Sequence, residues 1–466
     1  MSSEWRTMTL NQAGVILIDC DHKTPKAVDH GQPYIGIPQL KNGRISLEGA
    51  RLISAEDFSH WRRKALPMPN DVILSRRCNP GETAYVPEGL NIALGQNLVL
   101  LRATNENVYP PFLRWLAQGP AWWTQVNNFI NVGAVFDSLK CADIPNFLVC
   151  LPPYNEQIKI SEILYSLDKR IQINESINQT LEKMVQALFK SWFIDFEPVK
   201  AKIAVLEAGG SQEEATLAAM TVISGKNADA LKVFERENPE QCAELKATAE
   251  LFPSAVQESE LGEIPAGWSI KPLDEIAVYQ NGLALQKFRP ENENDFLPVV
   301  KIAQLKKGFA DSEEKASPNI KPECIIDNGD VIFSWSGSLM VDIWCGGKAA
   351  LNQHLFKVSS TNYPKWIYYK YTTHHLNEFQ RIAEAKAVTM GHIKREHLSQ
   401  AKCVIPPSDT ISTFTPFFEP LLNRIISNRL ECKQFDKIRN NLLPKLLSGE
   451  IALPEAEELA KEADYV

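Results

Sequence analysis

The chain has no Cys-x-x-Cys pair, no Gly-x-x-x-x-Gly-Lys-Ser/Thr loop, no glycine-rich cofactor loop after a first strand and no long apolar run. Each absence removes a class. Without the phosphate loop, ATP hydrolysis has no housing here. A membrane span needs about 20 apolar residues, and none is expected. The nine cysteines have no rhythm of spacing, which fits reduced thiols better than a disulfide scaffold or a zinc site. His374 and His375 are adjacent rather than four apart and have no nearby cysteine, so no metal is expected. The opening MSSEWRTMTL lacks the apolar core of a secretory signal, so a cytoplasmic location is expected. No Ser or Cys can be paired with a His as a nucleophile, and no catalytic residue is nominated.

Excess positive charge is also missing: the net charge is −8. Its distribution matters more than its sum. Residues 197–263 hold 6 basic and 13 acidic residues, and 450–466 hold 1 and 6. The remaining body is therefore mildly basic, which permits nucleic-acid binding without requiring it.

What is present is a repeat. Trp5 and Leu10 are answered by Trp268 and Leu273, QLKNG at 39–43 by QLKKG at 304–308, and NDVILSRR at 70–77 by GDVIFSWS at 329–336. ALGQNL at 93–98 is answered by ALNQHL at 350–355, and LPP at 151–153 by IPP at 405–407. Five matches in one order point to duplication, with loop insertions explaining the drift in spacing. The first part of each repeat mixes short β-rich runs with helical stretches and reads as a globular α/β domain.

After each Pro-Pro the pattern changes to a heptad seam: Ile160, Leu164, Leu167, Ile171, Asn174, Asn178, Leu181, Val185, Leu188 and Trp192. A shift of 254 gives Phe414, Phe418, Leu421, Ile425, Asn428, Cys432, Phe435, Arg439, Leu442 and Leu446, with Asn174 falling on Asn428. Two long helices forming an antiparallel coiled coil are expected. The fold class is then α+β, with two globular domains separated by two long helices and an internal pseudo-twofold repeat. The expected divisions are a first domain at 1–151, a long helix at 152–196 and an acidic connector at 197–262. A second domain at 263–405, a second helix at 406–449 and an acidic tail at 450–466 follow.

Leu151-Pro152-Pro153-Tyr154 is close to the catalytic tetrapeptide of amino-methyltransferases, but leucine cannot accept the hydrogen bond from the target amine that the first position must take. Its counterpart Ile405-Pro406-Pro407-Ser408 lacks the aromatic as well, so both read as stops before a helix.

With these strings, DCDHKTPK at 19–26, PPYNEQIKISEILYSLDKRI from 152, SELGEIPAGW at 259–268 and LLPKLLSGEI at 442–451, the chain resembles the specificity subunits of type I restriction–modification enzymes over nearly its whole length. The resemblance implies two target-recognition domains, each reading one half of a bipartite site in double-stranded DNA. It implies helices that set the gap and seat two methylation subunits, with restriction subunits joining them. No cofactor is expected on this chain; S-adenosylmethionine, ATP and Mg are expected on the partner subunits. The other readings are a coiled-coil scaffold that binds no DNA and a stand-alone methyltransferase with fused recognition domains.

Base and phosphate contacts need donors and cations on loops. The candidates are Lys23, Lys26, Lys41, Asn42, Arg62, Arg63, Lys64, Arg76 and Arg77 in the first domain. In the second they are Lys287, Arg289, Lys306, Lys307, Lys394 and Arg395. Arg76 and Arg77 are replaced by Trp335 and Ser336 in the second repeat, a difference suited to reading another half-site.

Overall fold

The computed structural model describes residues 5–133, 136–385 and 391–462. It divides into two compact units, 1–172 with 432–466, and 173–431. Each unit holds one globular domain together with part of both long helices.

The two domains share a topology. In the first unit a four-stranded antiparallel sheet runs Val15–Asp19, Leu98–Ala103, Val72–Ser75, Thr83–Tyr85. In the second unit the same order is Val278–Asn281, Leu355–Ser359, Val331–Ser334, Met340–Ile343. Each domain adds a smaller sheet built on one parallel pair: Gln32–Ile35 beside Ala93–Leu94, and Leu297–Val300 beside Ala349–Leu351. Each closes by pairing its first strand with the strand before Pro-Pro: Arg6–Thr9 with Leu148–Leu151, and Ser269–Pro272 with Lys402–Ile405. The central strands Val72–Ser75 and Val331–Ser334 are buried throughout, which explains their unbroken apolar runs.

The long helices span Tyr154–Phe189 and Ser408–Ser448, each starting directly after its Pro-Pro. The second helix continues through Pro416, Pro420 and Pro444. Each proline removes one backbone donor, and the first two lie on the exposed side, where water can serve the freed carbonyls. The helices run antiparallel in both units. In the first, Asp168 meets Arg439 and Ile171 meets Cys432; in the second, Asn174 meets Glu431 and Asn178 meets Asn428.

One seam position, Leu421, needs correction, and the pairing across the seam follows the antiparallel register. Asn428 donates to Asn178 Oδ1 at 2.8 Å, and Asn178 in turn donates to the Ile425 carbonyl at 3.1 Å, so the asparagine aligned by the repeat, Asn174, is not its partner. A repeat shift shows which positions are equivalent, whereas antiparallel pairing decides which ones touch. Leu422 rather than Leu421 is the buried leucine of its turn. Leu181 and Leu188 are half-buried, and Val185 and Phe189 fill the core beside them.

The first long helix ends in a π-turn, Lys190–Ile194, which carries Trp192 and Phe193 into an aromatic cluster with Phe252, Phe414 and Phe418. Residues after it form four helices, Glu197–Glu207, Gln212–Ser224, Ala228–Glu237 and Pro239–Glu250. The last three contribute a small core of their own, including Met220, Leu231 and Leu245. Lys202 anchors the group by donating to the Ala249 and Phe252 carbonyls. The acidic end is structured too: Leu453–Glu462 is a helix whose Ala456 and Ala460 are buried in the first unit's core. It follows the second long helix as Glu197–Glu207 follows the first.

His374 and His375 lie at the end of the helix Lys365–His374 and just beyond it. Burial, and then His374 beside it, push His375 down to about 4, and its Nε2 faces the Lys402 carbonyl at 3.0 Å. The unfolded chain takes up this proton near the ordinary 6.5 and the folded chain only near 4, so acid withdraws stability across that window. His375→Gln is expected to reduce the loss of thermal stability between pH 7 and pH 4.5; an unchanged pH slope would refute the assignment.

Candidate nucleic-acid interface

At one end of the two central strands of each domain's main sheet, three segments distant in sequence meet in the same way. In the first unit they are 76–78 after strand Val72–Ser75, the turn 95–97 before strand Leu98–Ala103, and 137–139. Arg76 N–H donates to the Asn97 carbonyl at 2.9 Å, Leu139 N–H donates to the Arg76 carbonyl at 2.8 Å, and Cys78 N–H donates to the Asp137 carbonyl at 3.3 Å. In the second unit Trp335 N–H donates to the His354 carbonyl at 3.4 Å. Ile393 N–H donates to the Trp335 carbonyl at 3.1 Å, and Gly337 N–H donates to the Gly391 carbonyl at 2.8 Å. A serine secures the turn each time: Ser75 Oγ bonds the Arg77 carbonyl at 3.1 Å and Ser334 Oγ the Ser336 carbonyl at 3.2 Å. The backbone at this head is thus the same in both domains, while the side chains it displays differ.

Head one lines a cleft of about 450 Å³ with His22, Arg76, Arg77, Cys78, Gln96, Asn97 and Phe136. Its base is organised by Asp19, whose carboxylate faces His22 Nε2 at 3.1 Å, Lys64 at 3.8 Å and Arg76 at 4.0 Å. Arg76 is buried beside it, whereas Arg77 is exposed, with its guanidinium 5.8 Å from the Phe136 ring. Gln96 is also exposed. The turn is tight because Gly95 passes so close to the Ile35 carbonyl that a Cβ would sit 2.7 Å from that oxygen. Cys20 lies beneath, bonded to the Gly95 carbonyl; burial, with Asp19, pushes its thiol up to about 11 and leaves it inert.

Head two places Gln353, His354, Trp335, Ser336 and His392 in the equivalent positions. Ser336 Oγ lies 3.0 Å from His354 Nδ1, and Gln353 Nε2 lies 3.4 Å from His354 Nε2. The Trp335 ring is flanked by His354 and His392, with centroids at 5.9 and 6.3 Å. Asn352 replaces Gly95, and its side chain accepts from His354 N–H to hold the turn.

Of the cations nominated from sequence, Lys64, Arg76 and Arg77 converge on head one, and Lys394 and Arg395 follow His392 at head two. Arg395 donates to the Tyr279 carbonyl at 3.2 Å, and Lys394 pairs with Glu396 at 3.5 Å. The others lie outside either head. Lys23 and Lys26 are exposed on the segment after His22. Lys41 and Asn42 form a hairpin tip, with Lys41 paired to Glu48 at 3.3 Å. Arg62 lies on the Phe58 ring, and Arg63 is exposed. Lys287, Arg289 and Lys306 are exposed, and Lys307 pairs with Asp311 at 3.4 Å. Sequence reasoning missed His22, Gln96, Asn97, Phe136, Gln353, His354 and His392. The usable signal was the pair ALGQNL and ALNQHL, alike except at Gly95/Asn352 and Asn97/His354.

Among the described residues no helix is long and apolar enough to cross a membrane, and no cluster of three or more His, Cys, Asp or Glu side chains could hold a metal ion.

A twice-repeated recognition domain on a pair of long helices, bearing two heads of one backbone and two chemistries, defines the class. The family model for the type I restriction modification DNA specificity domain matches residues 3–183 and 265–434, and the chain belongs to that family. It is 27% identical over 373 residues to the type I restriction enzyme HindI specificity subunit of Haemophilus influenzae, covering 78% of each chain. It is 26% identical over 336 residues to the MjaIX specificity subunit of Methanocaldococcus jannaschii, covering 70% of this chain and 66% of that one. The crystal structure of a type I restriction-modification system S subunit from M. genitalium aligns with 96% of this chain and 97% of its own, at a TM-score of 0.50 and 12% identity, a likeness of fold. The chain is a non-catalytic DNA-specificity subunit of a type I restriction-modification system.

Proposed function

We propose that each recognition domain reads one half of a bipartite, asymmetric site in double-stranded DNA through its head, while the helices set the gap. The observation that carries this reading is the shared head with divergent side chains. Arg77, Gln96 and Asn97 offer an arginine fork and two amides, which suit guanine and adenine edges. Gln353, His354 and His392 offer a different donor pattern from the same backbone. Two methylation subunits dock on the helices, where Tyr165 in the first unit and Ile173, Ile177 and Met184 in the second stand exposed on the first long helix. Restriction subunits complete the enzyme, and S-adenosylmethionine, ATP and Mg reside on these partners. The compartment is the cytoplasm.

Footprinting the assembled complex on its own methylation motif tests the reading. Two protected patches separated by a less protected gap are expected; one continuous patch, or protection unrelated to the motif, would refute it.

A further inference from the structure

In each unit an ion-pair knot ties the recognition domain to the long helices, and the two knots have opposite polarity. In the first unit the centre is a carboxylate. Asp168, on the first long helix and fully buried, is met by Arg44 at 2.9 Å, by Arg439 of the second long helix at 2.5 Å, and by Arg114. Arg44 and Arg114 belong to the recognition domain. In the second unit the centre is a guanidinium. Arg429, on the second long helix, reaches Asp342 of the recognition domain at 2.7 Å and Glu182 of the first long helix at 3.0 Å. It also donates to the Ile343 carbonyl at 3.0 Å.

Both knots grip the same strand of the repeated sheet. Asp342 lies on Met340–Ile343, opposite Ile332, one strand from the residues that run into head two. The equivalent strand in the first unit is Thr83–Tyr85, opposite Val72–Leu74. Arg114 covers the Tyr85 ring at 3.6 Å, and Gly43, next to Arg44, accepts from Tyr85 N–H at 3.2 Å. Each knot therefore holds the edge strand whose neighbour ends in the head. An apolar contact tolerates sliding, whereas forked ion pairs fix direction as well as distance.

We propose that Asp168 with Arg44, and Arg429 with Asp342, are positioning residues that fix the angle of each head on its helices and so fix the gap the complex accepts. This rests on the DNA-reading role proposed above. The central charge of each seat is opposite: Asp168, with Arg439 beside it, receives guanidiniums from the first domain, and Arg429, with Glu182 beside it, receives a carboxylate from the second.

The test uses complexes assembled with methylation subunits and DNA duplexes carrying the native motif with its gap unchanged, or altered by one base pair either way. Arg44→Gln and Arg429→Gln are each expected to reduce discrimination between the native and altered gaps by about ten-fold, within the range a 1 Å misplacement commands. Methylation at the native gap should change little, and Arg429→Lys should fall between wild type and Arg429→Gln. Unchanged discrimination in both glutamine variants, or a loss proportional on every duplex with a lowered melting temperature, would overturn the proposal as a merely structural role. A wild-type complex with no gap preference would overturn the reading of bipartite DNA as well.

Discussion

Asp168→Asn is expected to destabilise the first unit by about 3–5 kcal/mol, the usual cost of removing one partner from a buried ion pair. The asparagine would leave the Arg44, Arg114 and Arg439 guanidiniums around a neutral amide with little water to screen them, Arg439 keeping a second carboxylate in Asp436. Burial by itself would raise the Asp168 carboxyl; Arg114, Arg44 and Arg439 outweigh it and hold the group at about 2, below the ordinary 3.8. Because the folded value is depressed, the ionised carboxylate stabilises fully above about pH 4, and that contribution fades as pH falls toward 2. Urea unfolding of wild type and variant should therefore differ most at neutral pH and draw together below pH 3. Equal midpoints at pH 7 would show that the cluster adds nothing.

The second large effect concerns recognition. Arg77→Ala is expected to weaken binding of the assembled complex to its own site by about 10–100-fold, the value of one good bidentate base contact of about 1–3 kcal/mol. Binding to unrelated DNA should fall far less, because one phosphate contact contributes only a small share of the salt-dependent term. Arg77 is suited to this role by its setting. It is exposed, it neighbours Phe136, and its backbone is pinned by the bridge to Ser138. Arg76, one residue earlier, is buried beside Asp19 and serves as scaffold. Titrating specific and non-specific duplexes in parallel separates the two effects; an equal loss on both would make Arg77 a general phosphate contact.

The duplicated plan and the two helices were legible in the sequence because both are periodic. Heptad spacing survives without tertiary knowledge, and so does an ordered set of repeated strings. Most of what was hidden is assembled from residues far apart in the chain. Asp168 stands beside the seam residue Leu167 and reads as part of a solvated charged face. Arg44, Arg114 and Arg439, all more than fifty residues away, make it a buried centre. His22 and Gln96 meet because Val15–Asp19 pairs with Leu98–Ala103, a register no local pattern contains. The end of the chain misled through charge, since the small residues Ala456 and Ala460 form the apolar face of a helix that otherwise looks like an acidic tail.

Sequencing of methylated bases in DNA modified by a complex carrying Gln353→Ala with His354→Ala tests the two-reader claim most directly. The motif is expected to lose definition on one side of the gap only, with the other half and the gap length intact. Degeneracy on both sides, or an unaltered motif from a complex that still methylates, would contradict the assignment of one head to one half-site.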